Sequence, residues 1–124
     1  MKTEKNIIVD KSFDLALSMI RLYKKLINMN EFVLSKQVLR SGTSIGANVE
    51  EALAAHSKKD FVAKMIISHK EARETRYWLR LIDRSKLINE DITSYLNEVS
   101  AIINILSAII STSKKNLGIS VKSV

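Results

Sequence analysis

Nowhere in its 124 residues does this chain carry a proline, and it carries only three glycines. These two residues stop helices and shape tight turns, so a β-sandwich or a doubly wound α/β fold, each needing frequent turns, is hard to build from such a sequence. Long helices, by contrast, can run unbroken. Between Lys58 and Lys86 the apolar and small residues Phe61, Met65, Ser68, Ala72, Thr75, Leu79 and Ile82 recur at steps of four and three, the seam of a helix packed lengthwise on others. The fold class read from this is all-α.

Three further helical segments can be read from their ends and faces. Ser12 is expected to cap a first helix over 12–28, with Asp10 and Asp14 favouring its positive end. It has two apolar lines: Phe13, Leu17, Ile20 and Ile27 form one, and Leu15, Met19, Leu22 and Leu26 the other. Asn30 is expected to cap a second helix over 31–55, whose middle, Ser41 to Ala47, is made of small residues. Gly42 and Gly46 lie one turn apart there, and close helix packing explains them better than a phosphate loop, since no GxxxxGK[ST] pattern or strand accompanies them. Ser57 and Asp60 resemble a capping box at the start of the third helix, 58–85, and Asn89 with Glu90 and Asp91 opens a fourth over 90–114. Residues 116–124 are expected to form a loose tail. Four helices with short connections point to one domain, 1–124, folded as an antiparallel up-down-up-down four-helix bundle.

The run Ala101 to Ile110 falls short of a membrane span and is expected to be a buried helix. The fourth helix is nevertheless apolar around most of its circumference, with Ser100, Asn104, Ser107 and Ser111 as a thin polar line. A small bundle needs about one apolar sector per helix, so this surplus predicts a subunit interface and a homo-oligomer. With no cysteine there is no disulfide framework or thiolate chemistry, and Met1 to Asn6 does not resemble a signal peptide. A cytoplasmic location without membrane association is the expectation.

Charge is concentrated on the third helix. The formal net charge of the chain is +7 and its pI about 9.7, and the Lys58–Lys86 segment holds nine cations against four acids, a net of +5. Lys59, Lys70, Arg73, Arg76, Tyr77, Arg80 and Arg84 form the candidate nucleic-acid-binding set. Arg76, Arg80 and Arg84 are like-charge neighbours at i,i+4, each pair costing an isolated helix roughly 0.2–0.5 kcal/mol unless an anion offsets it. Phosphates would supply that anion, and Tyr77 could stack on an unpaired base. A solvated face or intersubunit salt bridges would account for the same residues without nucleic acid.

Ser44, Asn48, Glu51, Lys64 and Glu71 fall where helices two and three face each other and are read as a structural polar network fixing register. The two histidines, His56 and His69, lack further ligands at metal-binding spacing, so no metal, cofactor or catalytic residue is assigned. A hydrolase built on Glu51, Glu71 or His69 is the least favoured reading.

Three motifs carry a family resemblance: Gln37-x-x-Arg40-x-x-x-Ser44-Ile45-x-x-Asn48-Val49-x-Glu51-Ala52, then Ser57-Lys58-Lys59-Asp60-Phe61-x-x-Lys64, then Lys70-Glu71-Ala72-x-Glu74-Thr75-x-Tyr77-Trp78-Leu79. Over about Asp10 to Ser113 the chain resembles the four-helix-bundle proteins associated with intervening sequences of 23S ribosomal RNA genes. The resemblance implies a ring-like homopentamer, without established catalytic residues, similar to the accessory proteins of diversity-generating retroelements, which bind nucleic acid and a reverse transcriptase. The family's usual Glu-Gly reads Glu51-Ala52 here, which implies a longer second helix. The functional expectation is a non-enzymatic, weakly sequence-specific nucleic-acid-binding oligomer, with RNA slightly ahead of DNA. A scaffold whose basic face receives an acidic protein, such as a polymerase or reverse transcriptase, is the alternative.

Overall fold

The computed structural model describes residues 3–118, and all its regular structure is helical: α1 Glu4–Asn28, α2 Leu34–Leu53, α3 Lys58–Arg84 and α4 Thr93–Asn116. Each helix packs on two neighbours, in the order α1, α2, α3, α4 and back to α1, while the diagonal pairs do not meet. That arrangement is a four-helix bundle. Across the α2–α3 and α1–α4 contacts, residue numbers rise on one helix as they fall on the other: Ser41 meets Thr75 and Glu51 meets Lys64, while Ser18 meets Glu98 and Lys25 meets Glu90. The tail expected from residue 116 lies, from 119 onward, outside the described residues.

α1 begins two turns before the expected Ser12. Thr3 is its cap, in extended conformation, its Oγ1 accepting from the Asn6 amide at 3.3 Å. Ile8, Ser12, Leu15, Met19, Leu22 and Leu26 are all buried and recur at steps of four and three, so Ser12 is a seam residue, its hydroxyl donating to the Val9 carbonyl at 3.2 Å. Two other caps also differ. Asn30 adopts a left-handed conformation (φ 62°) at the end of α1, where asparagine substitutes for glycine. The start of α2 is served instead by Glu31, whose carboxylate accepts from the Val33 and Ser35 amides at 3.3 and 2.7 Å. At α4 it is Asp91, not Asn89, that accepts from the Thr93 amide, at 2.9 Å. Hydrogen bonding from the Thr93 hydroxyl and amide holds the Asp91 carboxyl below its usual range. Ser57 does cap α3, its Oγ accepting from the Asp60 amide at 3.0 Å.

The small-residue stretch of α2 is where α1 comes closest. A Cβ added at Gly42 would lie 2.3 Å from Met19 Cγ, and one at Gly46 3.4 Å from the Ser12 carbonyl oxygen. Across the α2–α3 contact, buried polar side chains interlock: Thr75 Oγ1 donates to Ser41 Oγ at 2.9 Å, and Ser68 Oγ to the Ile45 carbonyl at 2.9 Å. α2 runs on to Leu53 with Ala52 buried.

The apolar surplus of α4 goes inward. By length and mean hydropathy (1.3) this helix would be apolar enough to cross a membrane, yet Val99, Ile102, Ile103, Leu106, Ile109 and Ile110 are all buried within the bundle. Ile105 and Ala101 are half-buried, and only Ala108 among its smaller apolar groups is exposed. The surface argument for an interface on α4 therefore fails. Three exposed apolar side chains follow one another along α1, where Phe13 is 62 % exposed, Leu17 40 % and Ile20 39 %; others are scattered over the ends of α1 and α2 and over α3. A helix with two apolar lines can bury only one in a bundle this small, and α1 buries the line of Leu15, Met19, Leu22 and Leu26.

Candidate nucleic-acid interface

α3 turns one face inward, with Met65, Ala72, Thr75, Leu79 and Ile82 buried and Phe61 half-buried. That places the cations outside. Lys59, Lys70, Arg73, Tyr77, Arg80 and Arg84 are exposed, and Arg76 is half-buried. Among the described residues, no carboxylate lies within ion-pairing distance of any of the six cations.

The reason is visible in where the acids go. Glu71 and Glu74 of α3 turn toward α2, where both pair with Arg40, the first at 3.4 Å. The acids of α4 are taken up on other faces: Glu90 pairs with Lys25 of α1 at 2.9 Å, Glu98 accepts from Ser18 of α1 at 3.1 Å, and Asp91 serves its own helix start. Positive charge along the outer face of α3 is left uncompensated.

His69 shows which side of α3 this face adjoins. It is buried, and its Nε2 lies 3.0 Å from Ser107 Oγ on α4. Burial pushes its imidazole below the usual range, and the Arg73 and Arg76 guanidiniums push it further the same way. Both arginines follow His69 at helical spacing, so the stripe continues the α3 line that meets α4. Tyr77 stands at the outer edge of the stripe, 53 % exposed, its ring 5.2 Å from that of Trp78 and edge-on to it. Trp78 is itself fixed, its indole N–H donating to Glu74 Oε2 at 2.9 Å. An aromatic held this way presents a ring to solvent with little freedom to lose.

The residues expected to form a polar network are not one cluster. Asn48 Nδ2 donates to Ser44 within α2, to the carbonyl at 2.9 Å and the hydroxyl at 3.2 Å. Lys64 pairs with Glu51 across the helices at 3.2 Å, and Glu71 belongs to a separate group around Arg40. That group was missed: Gln37 Oε1 accepts from Arg40 at 3.3 Å, Arg40 reaches Glu71 and Glu74, and Glu74 holds Trp78. Its signal was present as matched i,i+3 pairs, Gln37 with Arg40 on α2 and Glu71 with Glu74 on α3. Glu51, Glu71 and His69, the groups of the hydrolase reading, each have a different partner: Glu51 pairs with Lys64 and Glu71 with Arg40 at the α2–α3 contact, and His69 meets Ser107 of α4. No group of three potential metal ligands occurs among the described residues. His56 is exposed and lines an open cleft of about 370 Å³ at one end of the bundle, with Lys5, Lys58 and Phe61.

Residues 4–108 match the family described as 23S rRNA-intervening sequence protein. That span takes in α1, α2, α3 and most of α4. No curated protein matches the chain. Among solved structures it is similar to a crystal structure from Bacteroides thetaiotaomicron, described as a protein with unknown function from the S23 ribosomal protein family. The two are 47 % identical with a TM-score of 0.84, over 87 % of this chain and 98 % of that one.

Proposed function

Because this chain belongs to the 23S rRNA-intervening sequence protein family, we propose that it works without catalysis, as a basic homo-oligomer that holds RNA or DNA by the phosphate backbone with little sequence specificity. One observation carries this reading: six cations of α3, five of them exposed and Arg76 half-buried, have no carboxylate partner among the described residues. Lys59, Lys70, Arg73, Arg76, Arg80 and Arg84 contact phosphates, and Tyr77 stacks on a base. The opposed numbering of the cross-helix pairs supports an antiparallel up-down-up-down bundle as the scaffold that keeps these residues in line. The stripe works best when repeated around an assembly, since several modest contacts made together multiply affinity. The exposed line of Phe13, Leu17 and Ile20 on α1 is the surface that such an assembly would cover. The family resemblance favours five copies, and a chain without cysteine is suited to a cytoplasmic, reducing setting.

Titration of labelled RNA and DNA at several salt concentrations tests the proposal. Affinity is expected to fall linearly in log–log form with a slope of roughly −0.7 per phosphate contact for single strands; no binding at low salt excludes it. A second reading rests on the same unpaired cations: the basic face receives an acidic protein, such as the reverse transcriptase that the family resemblance implies as a partner. In that case an acidic partner would be captured at low salt while nucleic acid would not compete for the site.

A further inference from the structure

Resting on the nucleic-acid reading above, we propose that the outer surface along the α3–α4 contact takes a single strand of RNA, with Asn104 and Ser100 of α4 contacting ribose 2′-hydroxyls while the arginines of α3 hold the phosphates. The register follows from the contact between His69 and Ser107. His69 lies 15 residues before Arg84, the last residue of α3, and Ser107 lies 14 residues after Thr93, the first of α4. The two helices therefore leave their shared connection as the arms of a hairpin. Moving from His69 toward that connection, Arg73, Arg76 and Arg80 follow at steps of four, three and four on α3. Moving from Ser107 the same way, Asn104 and Ser100 follow at steps of three and four on α4. This sets Asn104 beside Arg73 and Ser100 beside Arg76.

The chemistry of the two sides differs in a way that fits a ribonucleotide strand. One side is a row of arginines whose positions on the helix step, at ~1.5 Å of rise per residue, by about 4.5–6 Å along the axis, which is on the order of one nucleotide step in an extended strand. The other is uncharged and both donates and accepts. Asn104 is exposed, Ser100 half-buried, and neither has a hydrogen-bond partner among the described residues, whereas Ser107 is already engaged by His69. Glu98 is turned to Ser18 on α1, so it does not face the strand. A phosphate needs cations, and a 2′-hydroxyl needs a neutral group that donates and accepts; that hydroxyl is also what separates RNA from DNA at a given site. Tyr77 adds the requirement for unpaired bases, because a base inside a duplex offers no free face to stack on.

The test compares a single-stranded RNA with a DNA of the same sequence and with duplex RNA, using the full chain and the variant Asn104→Ala/Ser100→Ala. Asn104 is exposed and alanine is the better helix former, so the variant keeps its fold, which a thermal melt verifies. The wild type is expected to prefer the RNA strand to both competitors. The variant should lose about three- to tenfold in affinity for single-stranded RNA, the effect of one or two hydrogen bonds, while its affinity for single-stranded DNA stays unchanged. Equal wild-type affinity for the two strands, preference for duplex, or equal losses on RNA and DNA would overturn the inference and leave backbone binding standing. Absence of binding to every probe at low salt would overturn both.

Discussion

Gly42 and Gly46 sit one turn apart on the same helix and look interchangeable in the sequence, yet their surroundings assign them opposite mutational effects. An alanine methyl at Gly42 runs into Met19 Cγ at 2.3 Å, so the buried Met19 side chain must change rotamer or α1 must shift. Gly42→Ala should therefore destabilise by about 1–3 kcal/mol, outweighing the ~1 kcal/mol helix-propensity gain. At Gly46 the nearest atoms are at ordinary contact distance, so Gly46→Ala should be neutral or stabilise by up to about 1 kcal/mol. Urea denaturation of the two variants checks the difference in sign. His69 provides a second residue-level expectation. Its folded-state pKa lies below the ordinary 6.5 through burial and the nearby Arg73 and Arg76, so over the interval between the two values the unfolded chain binds more protons. Stability is then fully present above about pH 6.5 and falls as the pH drops below it. Denaturation midpoints measured from pH 8 to 5 should be flat at first and then decline, and His69→Gln should flatten part of that decline. Small residues on one helix face announced a close approach, but which glycine meets a side chain depends on the neighbour, which no local pattern encodes.

Helices were legible where their period was long and clean, and their ends were not. The α3 seam was read correctly from Met65 to Ile82 because the steps of four and three persist over several turns. α1 starts earlier than a cap at Ser12 predicts because Ser12 is itself a buried seam residue, continuous with Ile8 on the line of Leu15 and Met19. At α2 and α4 the asparagines favoured as caps gave way to Glu31 and Asp91, acids one and two residues further along. Both kinds of residue suit a helix start, and loop geometry decides between them. The arginine stripe was legible as a face; the Arg40 group was not, since it needs two helices in register. Two substitutions at the α2–α3 contact separate buried from exposed polar pairing. Thr75→Val removes a buried hydroxyl that donates to Ser41 and should cost about 1 kcal/mol. Arg40→Ala breaks pairs that are open to solvent, with the Arg40 side chain 51 % exposed, and should cost less than about 1 kcal/mol. Thermal melts of both variants at moderate salt would test this ranking.

At the scale of the whole molecule, the bundle separates two kinds of surface. α1 presents apolar side chains it has no room to bury, and α3 presents cations that, among the described residues, no carboxylate pairs with. The sequence pointed to α4 as the interface because apolar count was taken for apolar exposure; the fold buries six of the eight large aliphatics of that helix, half-buries Leu96 and Ile105, and leaves Phe13, Leu17 and Ile20 of α1 outside. If α1 is the assembly surface, Phe13→Asp/Leu17→Asp should yield a folded monomer by size-exclusion chromatography with light scattering, while the same changes on a monomeric wild type would leave its mass unaltered. The central claim, that the α3 stripe grips a phosphate backbone, is tested most directly by salt-dependent binding of single-stranded RNA to the wild type and to Arg73→Ala/Arg80→Ala/Arg84→Ala. The account predicts weaker binding by the triple variant and a log–log salt slope shallower by about 2, three contacts at roughly 0.7 each. An unchanged slope, or no binding by the wild type at low salt, would contradict it.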